Sequence, residues 1–205
     1  MNYQIQENIV LTTTDEQTLT GIFYHNITSK KGLLLIHQLA KNKDSWQPWI
    51  NEFQKTHNVI SLDLRGHGQS SGDFRDFSDD DFNAMKKDVA AAVEYFEKKG
   101  ITKNQISFMG ASIGANTIQN YISVNPHNAS ILLSPGTNYR GIKLTLKDNS
   151  SLVIVSKEDS YSCDSVKELE KISPTSKFIF LENKGHGTNM LDESLVKEII
   201  TFLNS

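Results

Sequence analysis

The residues best able to do covalent chemistry are a serine, a histidine and an acid spread over the second half of the chain. Ser112 stands in Gly110-Ala111-Ser112-Ile113-Gly114, where the apolar run Ile106-Ser107-Phe108-Met109 meets a segment of helical periodicity, Ile113, Ala115, Ile118 and Ile122. This pattern predicts a strand, a sharp turn and a helix, with the serine hydroxyl at the strand's carboxyl end. A Cβ at either flanking glycine would crowd a turn that draws strand and helix together. A serine hydroxyl is a weak nucleophile at neutral pH, so it needs a histidine within hydrogen-bond reach and a carboxylate to orient that histidine.

On such an elbow the partners follow in the order serine, acid, histidine. Of the six histidines, only His127 and His186 follow Ser112. His127 falls between a helix and the start of a strand, at the wrong edge of a parallel sheet. His186, in Asn183-Lys184-Gly185-His186-Gly187, follows a strand and precedes a helix, which puts it at the same edge as Ser112. The acid must also lie at a strand's carboxyl end. Asp148 precedes its strand and Asp164 reads as a helix cap, which leaves Glu158 and Asp159 after Val155. Donors for a developing oxyanion are expected from the backbone N–H of Ile113, directly after the nucleophile, and of Leu39, in the loop after Leu33 to Ile36.

The elements that must position these groups alternate. Tyr3 to Leu11 and Thr18 to His25 read as an antiparallel pair at a sheet edge. Leu33 to Ile36, Val59 to Leu62, Ile106 to Met109, Ala129 to Leu133, Leu152 to Val155 and Lys177 to Leu181 are short apolar runs of the kind found in strands covered on both faces. Helical patterns fall at Asp44 to Thr56, Asp79 to Lys99, after Ser112, Ser165 to Ile172 and Met190 to Leu203. The predicted fold is α/β: a mostly parallel twisted sheet with helices on both faces and ligands at the strands' carboxyl ends. The acidic run Asp79-Asp80-Asp81 reads as helix capping rather than as a metal site. Trp46 and Trp49 read as core residues, while Tyr139 and Arg140, in the irregular stretch from Ser134 to Ser150, fit a substrate contact and a structural role equally.

With 205 residues the chain can bury about 70% of its unfolded surface as one domain, 1–205. A formal charge of −3 argues against nucleic acid as a partner. The single cysteine, Cys163, cannot form an internal disulfide and suits a reducing compartment. The amino terminus has no signal-peptide pattern, and no apolar run approaches the ~20 residues of a membrane span. The expectation is a soluble, cytoplasmic protein. No metal or cofactor is implied, because H-E-x-x-H, paired C-x-x-C, G-x-G-x-x-G and P-loop patterns are absent.

His37, Asp63-x-Arg65-Gly66-His67-Gly68-x-Ser70, Gly110-x-Ser112-x-Gly114, Asp159 and Gly185-His186-Gly187 together resemble the α/β-hydrolase superfamily along nearly the whole chain. Within it, the chain looks like the small single-domain esterases related to dienelactone hydrolases. The resemblance implies Ser112, Asp159 and His186 as a catalytic triad and a structural loop around Arg65 and His67. The chain departs from many relatives in having only the stretch from Ser134 to Ser150 where they insert a lid domain, so no cap and an open, shallow site are expected. Where the family carries His-Gly this chain has His37-Gln38. Gln38 therefore either resists the backbone conformation needed at the second oxyanion donor or turns its side chain into the pocket. The expected activity is hydrolysis of a carboxylic ester or thioester of a small soluble substrate. A peptidase or acyltransferase would use the same triad, and a ligand-binding protein without hydrolysis could keep the same fold.

Overall fold

Two antiparallel strands, β1 (Ile5–Thr12) and β2 (Thr18–His25), open a computed structural model that describes residues 5–144, 146, 151–173 and 176–205. Tyr3, Gln4 and Asp148 lie outside the described residues. The chain continues through β3 (Gly32–Ile36), a 3₁₀ segment (Lys43–Trp49), α1 (Ile50–Gln54), β4 (Asn58–Leu62), α2 (Asp79–Ala84) and α3 (Lys86–Lys98). Then come β5 (Ile106–Ala111), α4 (Ile113–Ile122), β6 (Ser130–Leu133), the short strands β7 (Asn138–Tyr139) and β8 (Ile142–Lys143), and β9 (Ser151–Ser156). The last elements are α5 (Ser160–Ile172), β10 (Lys177–Leu181) and α6 (Glu193–Leu203).

Eight strands form one sheet in the order β1-β2-β4-β3-β5-β6-β9-β10. From β4 to β10 all neighbours are parallel, and β2 joins β4 antiparallel. Every residue of β3, β4, β5, β6 and β9 is buried, as expected of strands covered on both faces. One face packs Leu34, Phe108 and Val153 against Phe82, Val89, Ile118 and Val166. The other packs Leu35, Met109 and Ile154 against Trp46, Phe53 and Ile199. Alternate residues of each central strand thus feed two separate cores, and parallel pairing sends all their carboxyl ends to one edge. No helix among the described residues is long and apolar enough to cross a membrane.

Three helical segments differ from expectation for local reasons. The first half of the segment at Asp44 to Thr56 winds as 3₁₀ around Pro48, which supplies no N–H to an α-helical ladder. The segment from Asp79 is interrupted at Met85, whose N–H bonds Phe82 three residues back; Ser78 and Asp81 form a capping box at its start. Finally, α5 begins at Ser160 rather than near Ser165. Asp164 therefore lies inside the helix, paired with Lys167 at 3.0 Å, instead of capping it. The earlier start brings Asp159 to the N-cap position, where its side chain makes no capping bond and is left for another partner.

Candidate active site

Ser112 sits between β5 and α4 with φ +54° and ψ −120°, a conformation that non-glycine residues rarely adopt. The elbow is held by its surroundings. Ser112 N–H donates to Leu133 O at 2.8 Å, and Ser112 O accepts from the N–H groups of Ala115 and Asn116. A Cβ at Gly110 would lie 2.5 Å from Gly114 O, and one at Gly114 would lie 2.5 Å from His37 O, so close backbone approach demands both glycines. Ser112 is 6% exposed at the carboxyl edge of the sheet.

His186 and Asp159 meet at the same edge. His186 Nδ1 lies 2.6 Å from Asp159 Oδ2, with the Asp159 side chain 15% exposed and the His186 side chain 38%. Asp159 thereby occupies one ring nitrogen and leaves Nε2 for a second partner. Among the described residues no hydrogen bond joins Ser112 to His186; such contacts are often loose without substrate and tighten when it binds. His127, by contrast, precedes β6 at the opposite edge, its ring 6.2 Å from that of Phe108.

Glu158, the other acid considered at this edge, holds backbone rather than the ring. Its Oε1 accepts from Gly185 N–H at 2.6 Å, and its Oε2 from Asn183 N–H at 2.9 Å and the Ser156 hydroxyl at 2.6 Å. These donors, the Ser156 hydroxyl foremost, hold the carboxyl down at about 2. The adjacent acids thus divide the work: one orients the imidazole and the other ties down the loop that carries it. The Glu158-Asp159 pair is visible in the sequence, but the pattern does not say which acid does which.

The loop after β3 has one left-handed non-glycine residue, Ala40 at φ +58°, and Gln38 is not among those with positive φ. Gln38 therefore carries none of the strain that the loss of the family's glycine suggested. His37 orders this loop: its ring nitrogens engage Gln38 O at 2.8 Å through Nδ1 and Leu64 N–H at 3.1 Å through Nε2. Because a trans peptide points its C=O and N–H in opposite directions, the Leu39 N–H faces away from the His37 ring. Neither Leu39 N–H nor Ile113 N–H has a backbone acceptor among the described residues.

Burial pushes the His37 imidazole down to about 4, and that of His57 likewise to about 4. The unfolded chain takes up a proton near pH 6.5 and the folded state does not, so stability falls as pH drops from about 6.5 toward 4. Because His57 and Asp88 titrate in the same range, the His37 share is read against His37→Gln: between pH 7 and pH 5 the native protein should lose about 2 kcal/mol more in urea unfolding than the variant. An unchanged pH dependence in His37→Gln would contradict this placement.

Beside this loop, Asp63 joins three segments. It accepts from Lys43 Nζ at 2.7 Å, Lys43 N–H at 2.6 Å and Gln69 N–H at 3.0 Å. Burial raises its carboxyl, but the Lys43 ammonium and these N–H groups outweigh burial and hold it below the ordinary range. Tyr139 and Arg140 part company. The Tyr139 hydroxyl lies 2.9 Å from Ser162 Oγ and within interaction range of Ser112; burial raises its pKa. The Arg140 guanidinium instead lies 5.7 Å from the centre of the Phe82 ring. Among the described residues no group of three or more His, Cys, Asp or Glu side chains could hold a metal ion.

Residues 32–160 match a family described as alpha/beta hydrolase fold. A stretch of 39 residues is 49% identical to an (E)-2-((N-methylformamido)methylene)succinate hydrolase of Acinetobacter baylyi, covering 19% of this chain and only 15% of that protein. Among solved structures, the esterase Pf2001 of Pyrococcus furiosus superposes with a TM-score of 0.77 at 18% identity, covering 98% of this chain and 92% of that one. The esterase RhEst1 of Rhodococcus sp. ECU1013 superposes with a TM-score of 0.79 at 16% identity, covering 97% and 98%. At these identities the likeness is one of fold.

Proposed function

The chain belongs to the α/β-hydrolase family, and on that premise we propose that it is a serine hydrolase acting on a carboxylic ester or thioester of a small soluble substrate. The observation that carries this reading is the 2.6 Å contact between Asp159 and His186 Nδ1, at the sheet edge where the Ser112 elbow stands. With Nδ1–H held by Asp159, the Nε2 lone pair can take the Ser112 proton as Oγ attacks the acyl carbon. The tetrahedral oxyanion is met by the N–H groups of Ile113 and Leu39. His186 then returns the proton to the departing alkoxide or thiolate, leaving an ester on Ser112. Water, deprotonated by the same imidazole, releases the acid.

The site's openness fits a small soluble substrate. Between β6 and β9 stands only the β7–β8 hairpin among the described residues, where relatives with a cap insert a whole lid. The solved esterases of similar fold agree with an ester substrate. A fluorophosphonate probe tests the reading: it should label the native protein, and peptide mass spectrometry should find the adduct on Ser112. An unlabelled protein, or an adduct elsewhere, would leave a ligand-binding protein of the same fold as the better reading.

A further inference from the structure

Gln38 lies between His37 and the Leu39 N–H, yet its side chain is engaged with Thr188, 150 positions away along the chain. Its Oε1 accepts from Thr188 N–H and from the Thr188 hydroxyl, each at 3.1 Å. A backbone N–H can only donate, so the amide is fixed with its oxygen toward Thr188. The Gln38 amide also packs against Gly187, at φ +59°, where a Cβ would come within 2.7 Å of Oε1. Gln38 is 7% exposed and Thr188 half-buried, so these hydrogen bonds are partly shielded from water. Through its own carbonyl the same residue is held to His37.

We propose that Gln38 is a positioning residue: through its side-chain bonds to Thr188 it sets the spacing between the oxyanion donor at Leu39 and the base at His186. This rests on the serine-hydrolase reading. The two loops leave β3 and β10, which are separated in the sheet by β5, β6 and β9, so no strand pairing fixes one loop against the other. Glu158 and Asp159 tie the His186 loop to the end of β9, and Ser134 Oγ, just past β6, accepts from Gly187 N–H at 3.0 Å, but none of these bonds reaches the loop after β3. The Gln38–Thr188 contact is a direct bond from that loop to the opposite wall of the site. Catalytic groups must be held to within about 0.5 Å of their working geometry, and a misplacement of about 1 Å can cost about 10²-fold in rate. The strap bears on the chemical step rather than on substrate binding.

The test uses hydrolysis of p-nitrophenyl acetate by the full chain. Gln38→Met, similar in size but without the acceptor, should lower kcat by about tenfold or more with KM within about twofold. Thr188→Ser keeps both donors to Gln38 Oε1 and should hold kcat to within about threefold of native. Thr188→Val removes one of the two bonds and should have a smaller effect; combined with Gln38→Met it should be no slower than Gln38→Met alone. Native kcat in Gln38→Met, or additive losses in the double variant, would overturn the proposal. So would Thr188→Ser as slow as Gln38→Met, which would place the role outside the strap. If Gln38→Met does not fold, Thr188→Ser and Thr188→Val decide the matter: near-native kcat in the first with a measurable fall in the second supports the strap, and the reverse overturns it. Failure of the underlying reading is separately visible, because the native protein itself would then escape fluorophosphonate labelling at Ser112.

Discussion

Ser112→Ala is expected to lower kcat for p-nitrophenyl acetate by about 10⁶-fold, and Asp159→Asn by about 10⁴-fold, with folding and KM little changed. The two losses differ in kind. Without the hydroxyl no acyl-enzyme can form, and what remains is water attacking a carbonyl already polarised by the N–H groups. In Asp159→Asn the nucleophile survives, but the amide can donate where the carboxylate could only accept. His186 Nδ1 then becomes the acceptor, and the proton moves to Nε2, where it blocks the base. The 2.6 Å contact makes this tautomer switch the main consequence. Because the residues act as one unit, the double variant should be no slower than Ser112→Ala alone. An Asp159→Asn variant within about tenfold of native would mean that Glu158 or solvent can orient the ring, and the division of labour between the two acids would have to be redrawn.

The difference between those acids shows where a sequence stops being informative. Strand runs such as Leu152 to Val155 and Thr18 to His25 are readable because burial on both faces or on one leaves its imprint on residue type. The elbow is readable because two backbone approaches of 2.5 Å admit glycine alone. That His186 and one of two neighbouring acids share an edge follows from parallel topology. Which acid faces the ring depends on where α5 begins, and helix boundaries are weakly encoded when no Ser, Thr or Asn cap marks them. Here Asp159 stands at the N-cap and does not cap. The Gln38–Thr188 strap leaves no local trace at all, because it joins two loops by side-chain chemistry across three intervening strands. Backbone strain at Gln38 is an expectation drawn from one dipeptide. The left-handed residue of that loop is Ala40, two positions on.

Asp88→Ala is expected to cost about 3–5 kcal/mol of stability. Asp88 is fully buried on α3, where its Oδ1 accepts from Arg65 Nε at 2.7 Å and its Oδ2 from the Arg65 backbone N–H at 2.9 Å. The far side of the same guanidinium forks onto Asp15, in the turn between β1 and β2, at 2.8 and 3.0 Å. One arginine therefore fastens the turn, the loop after β4 and a helix on the core face. Burial pushes the Asp88 carboxyl up to about 6, against the pull of Arg65, so it is still ionised at neutral pH. Removing it strands a guanidinium whose side chain is 6% exposed, with half its partners gone, and orphans the Arg65 N–H as well. That uncompensated burial, rather than the intrinsic worth of an ion pair, sets the size of the loss. Asp88→Asn should cost less, because an amide oxygen can still accept one of the two bonds. Urea unfolding at pH 7 measures both. A loss under about 1 kcal/mol for Asp88→Ala would show that water or a rearranged Asp15 replaces the carboxylate, and that Arg65 is not the fastening its geometry describes.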